Sequence, residues 1–377
     1  MERLLALCGP GLEALATAEL AGQPGVVPAP RTVQGSGRVA FLGGFPAVYR
    51  ANLRLRCSER VLVLLSEFRA SGFESLCRKA EKLAWERFLM PGQPVAFKAE
   101  CLKSRLYHES AVVERLAGSI GARLGRVSPV KKLDEEGSGA PPQLFVVRIE
   151  DDLASVWVDS SGEPLHRRGY RLETAKAPLR ETLASAMVLA SGWDKTSPFI
   201  DPFCGSGTVA IEAALLARAA APGSSRRFAF MGWPCFDARA WGAALVEARK
   251  ERSSACPRIL ASDRDAGAVE AARANARRAG VEADIAFSTL PVSAVEPVPG
   301  PGWIVTNPPY GVRLGRAKDL RDLYAAFGSA LWRKFPGWKA GVLCGSADLM
   351  AATGLKFKPE LSTMNGGLTV AFYCRRI

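Results

Sequence analysis

Histidine is almost absent from this chain of 377 residues, which contains only His108 and His166. That scarcity argues against a Ser/His/Asp triad and against a His-ligated metal centre. The nine cysteines are odd in number, and no two stand at the C-x₂₋₄-C spacing of a structural zinc site. A chain this long needs no disulfide staples, so free thiols in a reducing cytoplasm are expected and no metal is. No apolar stretch approaches the roughly 20 residues of a spanning helix. The N-terminal run Leu4–Cys8 is shorter than the apolar region of about 7–15 residues in a secretory signal. Internal repeats and low-complexity tracts are also missing.

What is present is an ordinary folding composition, 48% hydrophobic and 23% charged, with length for two or three domains. Fifty Lys and Arg against 37 Asp and Glu leave a formal charge of +13. The surplus is spread through both halves of the chain and favours a polyanionic partner, most simply nucleic acid. Up to about residue 158 the periodicity mixes strands and helices. Strands are predicted over Arg38–Leu42, Arg60–Phe68, Val95–Cys101, Leu144–Ile149 and Ser155–Val158, and helices over Gly11–Leu20, Ser75–Phe88 and His108–Leu124. After Arg171 strand and helix signals alternate, which predicts an α/β fold with an open, doubly wound parallel sheet. Residues 221–257, with Trp233 and Trp241 among glycines and prolines, read as an insertion whose aromatics pack as core or lid.

Two loops carry chemistry. Asp201-Pro202-Phe203-Cys204-Gly205-Ser206-Gly207-Thr208 lies between a predicted strand, Phe199–Asp201, and a predicted helix, where open α/β sheets bind ligands. Its Gly205–Ala210 stretch also satisfies the dinucleotide pattern G-x-G-x-x-A. Asp201, however, would repel a pyrophosphate, and Asp263 stands more than fifty positions beyond Gly207 where a dinucleotide fold places its acid about 20 on. A cation suits Asp201 better, and S-adenosylmethionine offers an ammonium and a sulfonium. Asp263 then accepts from ribose hydroxyls. The second loop, Asn307-Pro308-Pro309-Tyr310, follows the apolar run Trp303–Val305. Two prolines stiffen it and remove N–H donors, leaving carbonyl acceptors beside the Asn oxygen. Those acceptors match an exocyclic NH₂ group, and the Tyr ring matches the face of the base bearing it.

The first loop resembles the glycine motif of class I S-adenosylmethionine-dependent methyltransferases, and the second resembles their amino-methylating motif. Gly11-Leu12-Glu13, Leu165–Arg171, Pro178–Ala184 and Ser191-Gly192-Trp193 extend the likeness to the bacterial THUMP-domain 23S ribosomal RNA guanine-N2 methyltransferases. The resemblance implies an α+β ferredoxin-like region over 1–46, an α+β THUMP RNA-binding domain over 47–158, a linker over 159–178 and a Rossmann-like class I methyltransferase domain over 179–377. It places Thr182, Asp201, Phe203, Cys204, Gly205, Ser206, Gly207, Thr208, Asp263, Arg264 and Asn307 on the cofactor, S-adenosyl-L-methionine, and Asn307, Pro308, Pro309 and Tyr310 on the target amine. It further implies a cytoplasmic enzyme acting on guanine N2 in large-subunit rRNA, with a tRNA guanine-N2 methyltransferase as the alternative, followed by an adenine-N6 methyltransferase or an RNA-binding assembly factor of weak activity. One departure is visible: where relatives place an acid after the third strand to hold the adenine amine, this chain reads Ser288-Thr289-Leu290-Pro291. Lys103, Arg105, Arg167, Arg168, Arg171 and Arg313 are candidate phosphate contacts, with Tyr107 or Tyr170 available for stacking; Arg167-Arg168 beside Tyr170 is the leading choice.

Overall fold

The structure is a computed structural model that describes residues 1–29, 32–132, 141–172, 179–310 and 317–377. Its first part runs β1 (Glu2–Cys8), α1 (Glu13–Ala21), β2 (Val27–Pro28), β3 (Arg38–Gly43), α2 (Phe45–Arg54), β4 (Ser58–Arg69), α3 (Phe73–Ala80), β5 (Val95–Leu102), α4 (Glu109–Leu124), β6 (Gln143–Glu150) and β7 (Leu153–Asp159). Among the described residues these strands form one sheet in the order β2-β3-β1-β4-β7-β6-β5. The expected division at residue 46 therefore does not separate two sheets. Strand β4, 12 residues long, is the reason. Its residues 58–63 pair with β1, and its residues 62–69 pair with β7. A strand of about 5–6 residues, the usual length, would not span both neighbours in this staggered way.

The second part runs α5 (Glu181–Ala190), β8 (Phe199–Asp201), α6 (Thr208–Ala217), α7 (Ala238–Lys250), β9 (Ile259–Asp263), α8 (Ala266–Ala279), β10 (Ile285–Thr289), β11 (Trp303–Thr306), α9 (Ala317–Lys334), β12 (Lys339–Cys344), α10 (Ala347–Ala352), β13 (Lys358–Asn365) and β14 (Leu368–Arg376). The sheet order is β10-β9-β8-β11-β12-β14-β13. Strands β10 through β12 are parallel, and β14 enters antiparallel between β12 and β13. All four residues of β11 are buried, as a parallel strand covered on both faces requires. Asp265 starts α8 by accepting from Gly267 N at 2.9 Å, and Gly280 ends it in the left-handed region.

The helix predicted over 75–88 stops at Ala80. Fully buried Trp85 turns inward and its Nε1 donates to the Ala80 carbonyl at 2.7 Å, closing the helix end. The stretch 221–257 is not a loose insertion. It contains α7, and Phe230, Phe236 and Trp241 surround Tyr49 of α2 with centroid distances of 4.7–6.3 Å. Trp233 Nε1 donates to Gln143 Oε1 at 2.7 Å, so this segment joins the two sheets. On another flank, Gly11 (φ +90°) brings the turn after β1 against β13. A β-carbon there would lie 1.9 Å from the Ser362 carbonyl oxygen.

The linker is also part of the joint, which corrects the leading choice of RNA contact. Arg168 and Tyr170 are buried, not exposed. Arg168 Nη1 donates to Glu212 Oε2 at 2.5 Å and Tyr170 Oη donates to Glu212 Oε1 at 2.8 Å. Ser185 Oγ adds a third bond to Glu212 at 2.6 Å, and Arg168 Nη2 reaches the Arg56 carbonyl at 2.8 Å. Glu212 stands alone as a charge in the apolar helix α6, and a buried carboxylate demands such partners. Arg171 is likewise engaged, by Glu181 and by the Leu179 carbonyl. Replacing Glu212 by Ala would leave the Arg168 guanidinium buried and unpaired. A loss of about 3–5 kcal/mol is expected, read as a lower urea midpoint at unchanged slope.

Candidate active site

In the second sheet β8 is first in sequence and lies centrally, with β9 on one side and β11 on the other. The chain thus reverses direction of travel across the sheet between β8 and β11, and a crevice at the strands' carboxyl ends is expected at that point. Both chemistry-bearing loops emerge there. Thr306 Oγ1, at the end of β11, donates to Asp201 Oδ1 at 2.6 Å and ties one loop to the other. Thr306 was not among the residues selected from sequence, because its partner is 105 positions away.

Asp201 is 1% exposed. Burial pushes its pKa up to about 7, against the lowering effect of the bonds from Thr306 Oγ1 and Phe203 N, with the Asp263 charge adding to the rise. Both bonds fall on Oδ1, and Oδ2 receives none among the described residues. Asp263, at the end of β9, accepts from Gly205 N through Oδ2 and from Asp265 N through Oδ1, each at 3.0 Å. Each oxygen keeps a further lone pair, which a ligand hydroxyl can use. The glycine loop is drawn in tightly: Gly207 has φ +85°, and a β-carbon on it would meet Ala272 Cβ at 2.9 Å. Asn275 Nδ2 holds the Ser206 carbonyl at 3.0 Å, and Cys204 N bonds the Ser262 carbonyl at 2.9 Å. Burial raises the Cys204 thiol far above the ordinary thiol range, so it is no nucleophile. Half-buried Phe203 meets Phe327 edge-on at 5.5 Å.

In the second loop the Asn307 Oδ1 atom is buried and has no hydrogen-bond partner among the described residues. A buried amide oxygen without a donor is costly unless a ligand completes it. Tyr310 is mostly buried, and its hydroxyl accepts from Asn365 Nδ2 at 2.8 Å. Pro308 and Pro309 lie between them, one buried and one partly so.

The structure thus brings Asp201, Phe203–Thr208, Asp263, Asn307 and Tyr310 to one end of the sheet. Arg264 follows Asp263 and is exposed. Thr182 is buried on α5, and its hydroxyl donates to Glu59 Oε1 of β4 at 2.7 Å, which makes it part of the joint between sheets. Beyond Ser288 and Thr289, Leu290 N donates to the Asp263 carbonyl, so the segment without the usual acid borders the same crevice. Of the basic candidates, Lys103, Arg105 and Arg167 are exposed, Arg105 with an ion pair to Asp152 at 3.7 Å. Tyr107 is exposed where Tyr170 is not. Arg313 lies outside the described residues. Among the described residues no group of three metal-binding side chains occurs, and no helix is long and apolar enough to cross a membrane.

A doubly wound sheet with a glycine loop after its first strand and Asn-Pro-Pro-Tyr after its fourth defines a Rossmann-like methyltransferase fold. Residues 168–371 match the RMKL-like methyltransferase domain, and the chain belongs to that family. Residues 3–62 match the RlmL ferredoxin-like domain, which ends within β4 and not at residue 46. The chain is 35% identical over 342 residues to the ribosomal RNA large subunit methyltransferase K/L of Syntrophotalea carbinolica, covering 87% of this chain and 48% of that protein. It thus spans about half the length of the curated relatives bearing that name. A Synechocystis sp. protein provisionally named an RNA methyltransferase is 33% identical over 363 residues, or 95% of this chain and 92% of its own. Among solved structures, SMU.472, provisionally described as a methyltransferase and crystallised with SAH, superposes with a TM-score of 0.85. It is 30% identical, with 100% of this chain and 99% of that one covered.

Asp201 makes a test of the site's electrostatics. Its pKa of about 7 folded exceeds the ordinary 3.8, so the native state holds the proton more tightly. Its contribution to stability is full below the unfolded value and is lost as pH rises through about 7. Asp201→Asn removes the ionisation. It should melt higher than the parent at pH 8, by up to about 4 kcal/mol in stability, and the gain should vanish towards pH 4.

Proposed function

We propose that this protein transfers a methyl group from S-adenosylmethionine to the exocyclic N2 amine of a guanine in large-subunit ribosomal RNA. The observation that carries the reading is the buried, unpartnered Asn307 Oδ1 on a proline-stiffened loop beside Tyr310, tied through Thr306 to the Asp201 loop. The residues at the first loop fit the cofactor. A buried carboxyl held near pH 7 suits a cationic ligand, Asp263 has lone pairs for ribose hydroxyls, and the close-drawn Gly205–Gly207 backbone admits a ligand without side-chain interference. When bound, S-adenosylmethionine supplies an electrophilic methyl on a sulfonium. Asn307 Oδ1 and the Pro308 carbonyl accept the two amine protons and fix the nitrogen lone pair in one direction. Tyr310 supports the base by its ring face. No strong base is called for, since positioning carries most of the rate.

The substrate class rests on the names of the relatives and on the +13 charge, and guanine over adenine rests on family likeness, because the loop accepts either amine. We assign RNA capture to the first sheet as a THUMP region, with exposed Lys103, Arg105 and Arg167 at phosphates, and a cytoplasmic location.

Single-turnover reaction of the chain with labelled methyl donor and 23S rRNA, followed by nucleoside digestion and mass spectrometry, should yield N2-methylguanosine. N6-methyladenosine, or product only from tRNA, would overturn the substrate assignment. Asn307→Ala should slow transfer by about 10²-fold through misplacement of the amine, with cofactor affinity measured by calorimetry nearly unchanged. Cofactor affinity itself should rise with pH through about 7 as Asp201 ionises, with proton release on binding.

A further inference from the structure

Strands β13 and β14 meet in the turn Asn365-Gly366-Gly367-Leu368, where both glycines take positive φ (+56° and +85°). Two left-handed residues at the centre of a two-residue loop match the right-handed twist of the strands they join, so the tip is set by its own sequence. It is also set from behind, since β14 pairs with β12 along Leu343↔Phe372 and Cys344↔Ala371. Successive side chains alternate, so Thr363 and Asn365 share one face with their cross-strand partners Val370 and Leu368. Thr363 and Val370 are buried on that face. Asn365 ends the row, and its Nδ2 donates to the Tyr310 hydroxyl at 2.8 Å.

The Tyr310 ring is bounded elsewhere as well. A β-carbon on Gly345, just beyond β12, would come 3.2 Å from Tyr310 Cδ2, so glycine there lets the ring sit close to the backbone. The prolines fix the backbone before the ring, Gly345 borders its edge, and Asn365 holds its far end. The hydroxyl is the point at which a separate strand grips the ring.

We infer that Asn365 is a positioning residue of the methyl-transfer site: it fixes the tilt of the Tyr310 ring through the phenolic oxygen, and so the seat of the target base. The inference rests on the function proposed above, but one arm of its test does not. In protein labelled with ¹³C at tyrosine Cζ, the six tyrosines give a signal for Tyr310 identified by its loss in Tyr310→Phe. Asn365→Ala should move that signal and leave the other five in place. An unmoved signal overturns the grip whatever the substrate. In the kinetic arm, Asn365→Ala and Tyr310→Phe should each slow single turnover by about three- to tenfold, the worth of one net hydrogen bond. Cofactor affinity should stay within error of the parent, and any loss in melting should be no more than that one bond is worth. The double variant should be no slower than the slower single one, because both remove the same bond. Multiplying losses would show that Asn365 acts through hairpin stability alone and would overturn the positioning role. A moved signal with an inactive parent chain would instead count against the proposed reaction and not against the grip.

Discussion

A single carboxylate, Glu212, receives hydrogen bonds from Arg168, Tyr170 and Ser185 inside a region closed to water. Arg168 passes the connection on to the Arg56 carbonyl, just ahead of β4. The linker, the helix that follows the glycine loop and the first sheet are therefore held at one point. Such a cluster is stable only when complete, because each member left alone would be a buried polar group without compensation. The position of the first sheet relative to the crevice depends on it.

A second tie works at the crevice itself. Thr306 and Asp201 sit at the ends of neighbouring parallel strands, and their bond places the Asn-Pro-Pro-Tyr loop beside a carboxyl whose pKa burial raises to about 7. The buried Asn307 oxygen and the raised Asp201 pKa express the same arrangement: polar groups prepared for a ligand and held at the expense of their own solvation. Stability and readiness to bind are opposed at both atoms.

The two loops were legible in the sequence because each is local: a strand, a turn of fixed composition, a helix. Long-range side-chain partners were not. Arg167, Arg168 and Tyr170 read as an RNA grip because a basic pair beside an aromatic is what such a grip looks like, while the partner that buries Arg168 and Tyr170 stands more than forty positions on. A signal did exist in Glu212 itself, a lone acid among the apolar residues of Thr208–Ala217, which calls for a cation. That one sheet runs on past residue 46 was hidden for a similar reason, since only pairing reveals that β4 serves two neighbours. For Asn365 the Gly-Gly pair signals a hairpin, but nothing local says that its tip reaches Tyr310.

β14 comes last among the strands yet lies inside its sheet, with β12 on one side and β13 on the other. On a ribosome that releases the amino-terminal end first, the outer edge of β12 stays open until Leu368–Arg376 has emerged. The glycine loop and Asp201 precede that moment by more than 160 residues. A growing chain can thus assemble the Asp201 side of the crevice early, while Tyr310 receives its Asn365 anchor only as the closing strand slides into place, which ties the setting of that ring to the emergence of Leu368–Arg376.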